Sequence, residues 1–202
     1  FLDLSATSDT LLENRRLPFP VGSTSTSRPE SNNTFGRGRQ NLVVENLSLS
    51  ASLINGNTSF KPPDFEFRVT PILNINSIDT QEEGNTRANP LRGDDRSDDH
   101  LGFLELFVDK HLMNLSDRYD FISARVGIQR FVSDFRGFIY SDEEPGVRLF
   151  GNWDNNKWQY NLAWFHRLEK DTNSAVNSTF DDRYEDVLIA NLFRQDAVAL
   201  GQ

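Results

Sequence analysis

Carboxylates supply most of the reactive side chains in this chain. Asp and Glu outnumber Lys and Arg by 30 to 21, and three histidines complete the titratable set. Neighbouring acids such as Glu143 and Glu144 have the composition of a hydrolytic acid–base pair. In so acidic a chain, however, such neighbours arise by chance. His100, His111 and His166 stand in no recognisable nucleophile or metal motif. The absence of cysteine removes disulfides and thiolate metal sites. The densest acidic run is Asp94, Asp95, Asp98 and Asp99, followed by His100. A hard cation such as calcium takes several carboxylate oxygens, so this run is a metal candidate. Its spacing matches no calcium-loop template, and a solvated acidic loop is the preferred reading. The residues thus predict no enzyme and no cofactor.

A second set of charged residues is more regular. Glu66, Arg68, Glu105, Asp109, His111, Arg125, Arg148 and Arg167 fall on alternate positions, opposite apolar stripes. Period-two alternation is the signature of a pleated strand with two unlike faces. Trp158, Tyr160, Leu162 and Trp164 share one face; Gln159, Asn161, Ala163, Phe165 and Arg167 share the other. Phe103, Phe107, Phe121, Phe131, Phe150 and Phe165 fall on the charged side.

The same pattern places strands at Gly102–Met113, Asp120–Val132, Gly146–Trp153 and Lys157–Lys170. Before them come Asn41–Ile54 and Asp64–Ile78, and after them Asp186–Arg194. Phe1–Thr7 alternates weakly, so 1–12 holds a possible strand. Long connections are expected at Glu13–Gln40, Asp79–His100, Ser133–Pro145 and Asp171–Glu185. Short ones are expected at Asn55–Pro63, Asn114–Tyr119 and Asp154–Asn156. The expected fold is therefore all-β: an antiparallel up-and-down meander of seven or eight strands, with residues 41–196 as its hairpins. Long loops at one rim and short turns at the other describe a transmembrane β-barrel.

Charge and hydropathy agree with that reading. A net charge of −9 argues against a nucleic-acid partner, because phosphate binding needs clustered cations. No window approaches the run of about 20 apolar residues that a membrane helix requires. Barrel strands need only about 10 alternating residues and escape that test. The chain opens on Phe1, so either a leader has been removed or the sequence is a section of something longer.

Several blocks carry a resemblance. They are Thr58–Pro71, Leu115–Phe121, Ser133–Phe138, Val147–Asp154 and Leu168–Ser174. They resemble uncharacterised outer-membrane β-barrel proteins of Gram-negative bacteria, described as porin-like. The resemblance implies an outer-membrane location, lipid as partner, and a longer parent with strands beyond both ends. It supplies no catalytic residues.

In a barrel, Glu66, Arg68, Glu105, Asp109, Arg125, Arg148 and Arg167 would line the interior. There they either tune a pore's selectivity or merely fill the space with ion pairs. The loop carrying Asp134, Arg136, Asp142, Glu143 and Glu144 also holds Phe135, Phe138, Ile139 and Tyr140. It is read as a constriction folded into the interior, or as packing over the rim. The expected role is a passive channel or a surface-structural barrel. The alternative is a soluble secreted β-sandwich binding a ligand such as a glycan through Trp158, Tyr160 and Trp164. A closed eight-stranded barrel would be crowded by six inward phenylalanines. The expectation is a section of a wider barrel, completed by further chain or other subunits.

Overall fold

The computed structural model describes residues 1–16, 36–58, 62–82, 95–134 and 136–195. It contains β1 (Leu2–Arg16), β2 (Gly36–Asn55), β3 (Phe65–Glu82) and β4 (Asp95–Asn114). These are followed by β5 (Phe121–Val132), β6 (Ser141–Trp153), β7 (Trp158–Lys170) and β8 (Asn177–Arg194). All eight lie in one sheet in chain order, an antiparallel meander as alternation predicts. The sheet is not closed: β1 and β8 are its edges.

The strands are longer than their apolar stripes. Glu13–Arg16 belongs to β1 and Gly36–Gln40 to β2, so Glu13–Gln40 is not wholly a loop. Asp79–Glu82 extends β3, and Asp95–His100 opens β4. The expected loop at Ser133–Pro145 ends at Tyr140, because β6 begins at Ser141. The expected loop at Asp171–Glu185 ends at Val176. The expected strand Gly146–Trp153 is the second part of a 13-residue strand. None of these extensions carries a continuous apolar stripe, so side-chain periodicity does not mark them. The ladder is made by backbone groups, which pair whatever the side chains are.

Close packing divides the chain into two units. One comprises Phe1–Ala6, Ser48–Ile72 and Leu101–Gln202; the other comprises Thr7–Leu47 and Leu73–His100. Within the first unit, the face that carries the ionisable side chains is the buried one, and an apolar cluster of Phe131, Ala163 and Phe165 is buried on it too. Glu66, Asp109, Gln129 and Glu144 are buried. Val126, Val147, Leu162, Trp164, Leu188 and Leu192, on the opposite face, are exposed. The pairings confirm the faces: Asp109 lies opposite Arg125, and Arg125 opposite Arg148. Val147 lies opposite Trp164, and Trp164 opposite Leu188. Gln159, Asn161 and Arg167 accordingly take the charged face, and Trp158, Tyr160, Leu162 and Trp164 the apolar one.

The second unit also carries polar pairs between its strands. Ser8 and Thr10 donate to Glu45, and Arg15 to Gln40. Asn74 donates to Asn46 at 2.7 Å, Asn76 to Asn74 at 2.8 Å, and Ser97 to Ser77 at 3.0 Å.

One glycine pair sets how closely the central strands approach. Gly127 and Gly146 are paired across β5 and β6, flanked in the same row by Phe107 and Phe165. Gly127 has φ +126°, and a Cβ there would stand 2.1 Å from the Leu106 carbonyl oxygen. A Cβ on Gly146 would stand 2.3 Å from the Trp164 carbonyl oxygen. Only glycine adopts this conformation without strain and leaves room for both backbones. Phe107 and Phe165, 2% and 0% exposed, bury the row.

The short connections gather at one end, as expected. Asp120 accepts from the Asn155 and Asn156 amides at 2.9 and 2.8 Å and from Ser116 Oγ at 2.8 Å. The His111 amide donates to the Asp64 carbonyl, which ties the β2–β3 connection to the end of β4. The β6–β7 turn needs this support, because Asp154, Asn155 and Asn156 all have positive φ. Burial of Asp120 opposes its ionisation, but the Asn156 and Asn155 amides, the Ser116 hydroxyl and the Arg118 charge together hold its carboxyl below the usual value. Its stabilisation is therefore complete above the ordinary carboxylate pKa of about 3.9 and fades as pH falls through the lowered folded value. Asp120→Ala should cost about 1–3 kcal/mol near neutral pH by orphaning two turn amides. The difference in urea midpoint between wild type and variant should shrink in strong acid. A constant difference from pH 7 to pH 2 would show that the carboxylate charge is irrelevant.

Candidate functional site on the charged face

Three groups of residues occupy the charged face of the first unit. In the first, Arg68 joins β3 to β4. Its guanidinium lies 2.7 Å from Glu66 and 3.3 Å from Glu105, and its Nε donates to Ser52 Oγ at 2.9 Å. Alternation on β3 places Glu66 and Arg68 side by side, two residues apart on one face.

The second group lies across β4, β5 and β6. Arg125 contacts Asp109 at 2.8 Å through Nη2 and 2.9 Å through Nε. Asp109 is 1% exposed, so a partner cation is an energetic requirement. The Arg125 guanidinium also lies over the Phe107 ring at 4.1 Å. Arg148, directly opposite Arg125, donates from Nε to Asn161 Oδ1 at 2.7 Å. It stands 4.4 Å from the Phe150 ring and 5.0 Å from the Phe131 ring. Both contacts lie within cation–π range.

The third group contains Arg167, which lies within 4 Å of Asp142, Glu144 and Glu185. Lys170 contacts Asp142 at 2.7 Å and Glu144 at 3.6 Å. Glu144 also accepts the Leu168 amide at 2.9 Å, at a point where the β7–β8 register shifts. Bulges leave backbone groups without ladder partners, and this carboxylate supplies one.

The seven expected interior residues therefore do share a face, but in separate networks. Glu66, Arg68 and Glu105 form one, Asp109, Arg125 and Arg148 a second, and Arg167 belongs to the third. His111 lies at a register shift and contacts Asn114 at 2.9 Å. The acidic candidates of the expected constriction loop divide differently. Asp142, Glu143 and Glu144 are strand residues, paired with Phe131, Arg130 and Gln129. Asp134 and Arg136 remain in the connection. Asp134 holds that connection together by accepting the amides of Arg136, Phe138 and Ile139.

The β5–β6 hairpin end does approach the face of β7 and β8. Tyr140 stacks on Phe165 at 5.6 Å, and Phe131 lies 5.4 Å from Phe165. Asn191 Nδ2 donates to the Ser133 carbonyl at 2.8 Å. Phe138 and Ile139 project away and are exposed. Phe135 lies outside the described residues.

The described members of the metal candidate are split between the two faces of one strand. Asp95, Asp98 and Asp99 are on β4, where consecutive side chains alternate between faces. Asp94 lies outside the described residues, and among those described no three His, Asp or Glu side chains could hold a metal ion. Glu143 and Glu144 are likewise adjacent strand residues on opposite faces, which removes them as a hydrolytic pair.

Sequence reasoning missed Asn161 and Lys170 as members of these networks. Asn161 lies on the expected face but is uncharged. Lys170 stood at the end of its strand, where the register shift spoils simple alternation.

No family model, curated protein or solved structure matches this chain.

What the face can do is electrostatic. It holds guanidinium and carboxylate groups in fixed positions, with aromatic rings against the cations. Such an array can pair internally or act on ions passing along it.

Proposed function

We propose that this chain is part of a bacterial outer-membrane β-barrel, acting as a porin-like passive channel or as a surface-structural barrel. The observation that carries the reading is the contrast between the two faces of the first unit. Ionisable side chains are buried together on one face while Leu162, Trp164, Leu188 and Leu192 stand exposed on the other. In water such an apolar face invites association. In lipid it is the required surface, with polar residues turned toward the interior. Strand lengths of 12 to 20 residues meet the about 9–11 needed to cross a bilayer. Trp158 and Trp164 fit a lipid-facing position, where aromatic residues form interfacial girdles.

The sandwich alternative needs a second sheet to cover the apolar face. The described strands all belong to one sheet. Its open edges, β1 and β8, favour a wider barrel closed by further strands, since unpaired edges within lipid are not tolerated.

Fractionation tests the location: the protein should stay with outer membranes and require detergent for release. Trp158 and Trp164 fluorescence should be quenched by brominated lipid after reconstitution. Recovery in the soluble periplasmic or secreted fraction, with no quenching by vesicles, would remove the membrane reading and favour the sandwich.

A further inference from the structure

We propose that Arg148 is the centre of an oxyanion-binding subsite on the charged face, taking a small sulfate-, phosphate- or carboxylate-type anion. Arg125 and Arg148 are like charges placed directly opposite each other on β5 and β6. Only one carboxylate, Asp109, contacts this pair among the described residues, and it is committed to Arg125. Arg148 spends its Nε and Nη2 donors on the neutral Asn161 Oδ1. A guanidinium has five N–H donors in a rigid fork suited to oxyanions, so Arg148 keeps donors beyond that bond.

The surroundings form a cleft. A space of about 400 Å³ is lined by Phe131, Ser133, Asp134, Arg148, Asn161 and Asn191, among others. Among the described residues Asp134 is the one carboxylate lining it, and that group is committed to the amides of its own turn. Phe131 and Phe150 lie against Arg148 and displace part of its hydration, which strengthens a charge-assisted hydrogen bond made there. Arg130 also borders the cleft, but it pairs with Glu143 at 3.6 Å on the opposite face. Nearby, Asn161 and Asn191 bring side-chain amides; Asn191 gives one N–H to the Ser133 carbonyl and keeps its second. An anion bridging Arg148 and these amides would supply the negative charge that Asp109 does not. This subsite depends on the β5–β8 face and not on the membrane reading.

The test uses the full chain refolded in detergent micelles. Sodium sulfate, and separately sodium acetate, is titrated at constant ionic strength while the thermal midpoint and heat of binding are recorded. Wild type should show saturable stabilisation by at least one anion. Arg148→Gln should weaken that binding about tenfold, as expected when one charge-assisted contact is lost. Arg148→Lys should recover part of it, and Arg118→Gln, in an exposed turn, should leave it unchanged. If Arg148→Gln does not fold, Asn191→Ala keeps the arginine and should still weaken binding. Non-saturable stabilisation in wild type, or equal affinity in wild type, Arg148→Gln and Asn191→Ala, overturns the subsite. Should the protein prove soluble without detergent, the membrane reading fails and the same titration runs in buffer with the same criteria.

Discussion

Replacing Arg125 by leucine should destabilise the protein by about 3–5 kcal/mol, the cost of stranding a buried charge. Asp109 is the stranded group: it is 1% exposed and contacts Arg125 through two nitrogens. Arg148 is the next cation on the same face, but it is engaged with Asn161 and stacked on aromatic rings. It cannot take over without giving up those contacts. Replacing both partners, Arg125→Leu with Asp109→Leu, should recover much of the loss, since removing both polar partners from a buried pair is far cheaper than removing one. Urea midpoints of the wild type, two single variants and the double variant, in the same detergent, close the cycle. Additive losses would mean that the two residues do not act as a pair.

That pair illustrates what was legible in the sequence. Asp109 and Arg125 alternate with Val108 and Val126, so their shared face could be read directly. The same alternation gave the two faces of β7, the meander and the turn positions. It could not give the pairing of Arg125 with Asp109 and not Glu105, because register is set by turns and bulges as well as by pattern. One such bulge lies between His111 and Met113. Nor could it reveal Asp95–His100 or Ser141–Glu144 as strand. Where both faces are polar, period two carries no contrast, and acidic residues then read as loop. Tyr184 adds a left-handed φ of 59° within β8, a conformation that pattern cannot anticipate. Gly127 falls in the alternation of β5 as one small residue on the polar face. The Leu106 carbonyl that excludes any larger residue belongs to the neighbouring strand, so local sequence held no sign of it.

Leu162→Arg separates the membrane from the aqueous setting, because the two assign it different energies. Leu162 lies in the interior of β7, paired with Leu149 on one side and Ala190 on the other. It is already 57% exposed in the protein alone. If water covers that face, a change there should alter stability by no more than about 0.5 kcal/mol, the usual range for surface substitutions. If lipid covers it, a guanidinium must enter hydrocarbon, at a cost of about 2–4 kcal/mol near the bilayer midplane. Gln159→Arg provides the control. It sits on the opposite face of the same strand and is exposed, so its cost should be small in either setting. Folding of both variants into lipid vesicles, followed by denaturant titration, measures the two costs under one condition. Leu188→Arg, across the ladder from Trp164, should repeat the Leu162 result, because it continues the same apolar face onto β8. A large loss for both leucines with a small loss for Gln159 assigns the apolar face to lipid. Equal, small losses at all three positions would mean that this face meets water, and the barrel reading would then have to be abandoned.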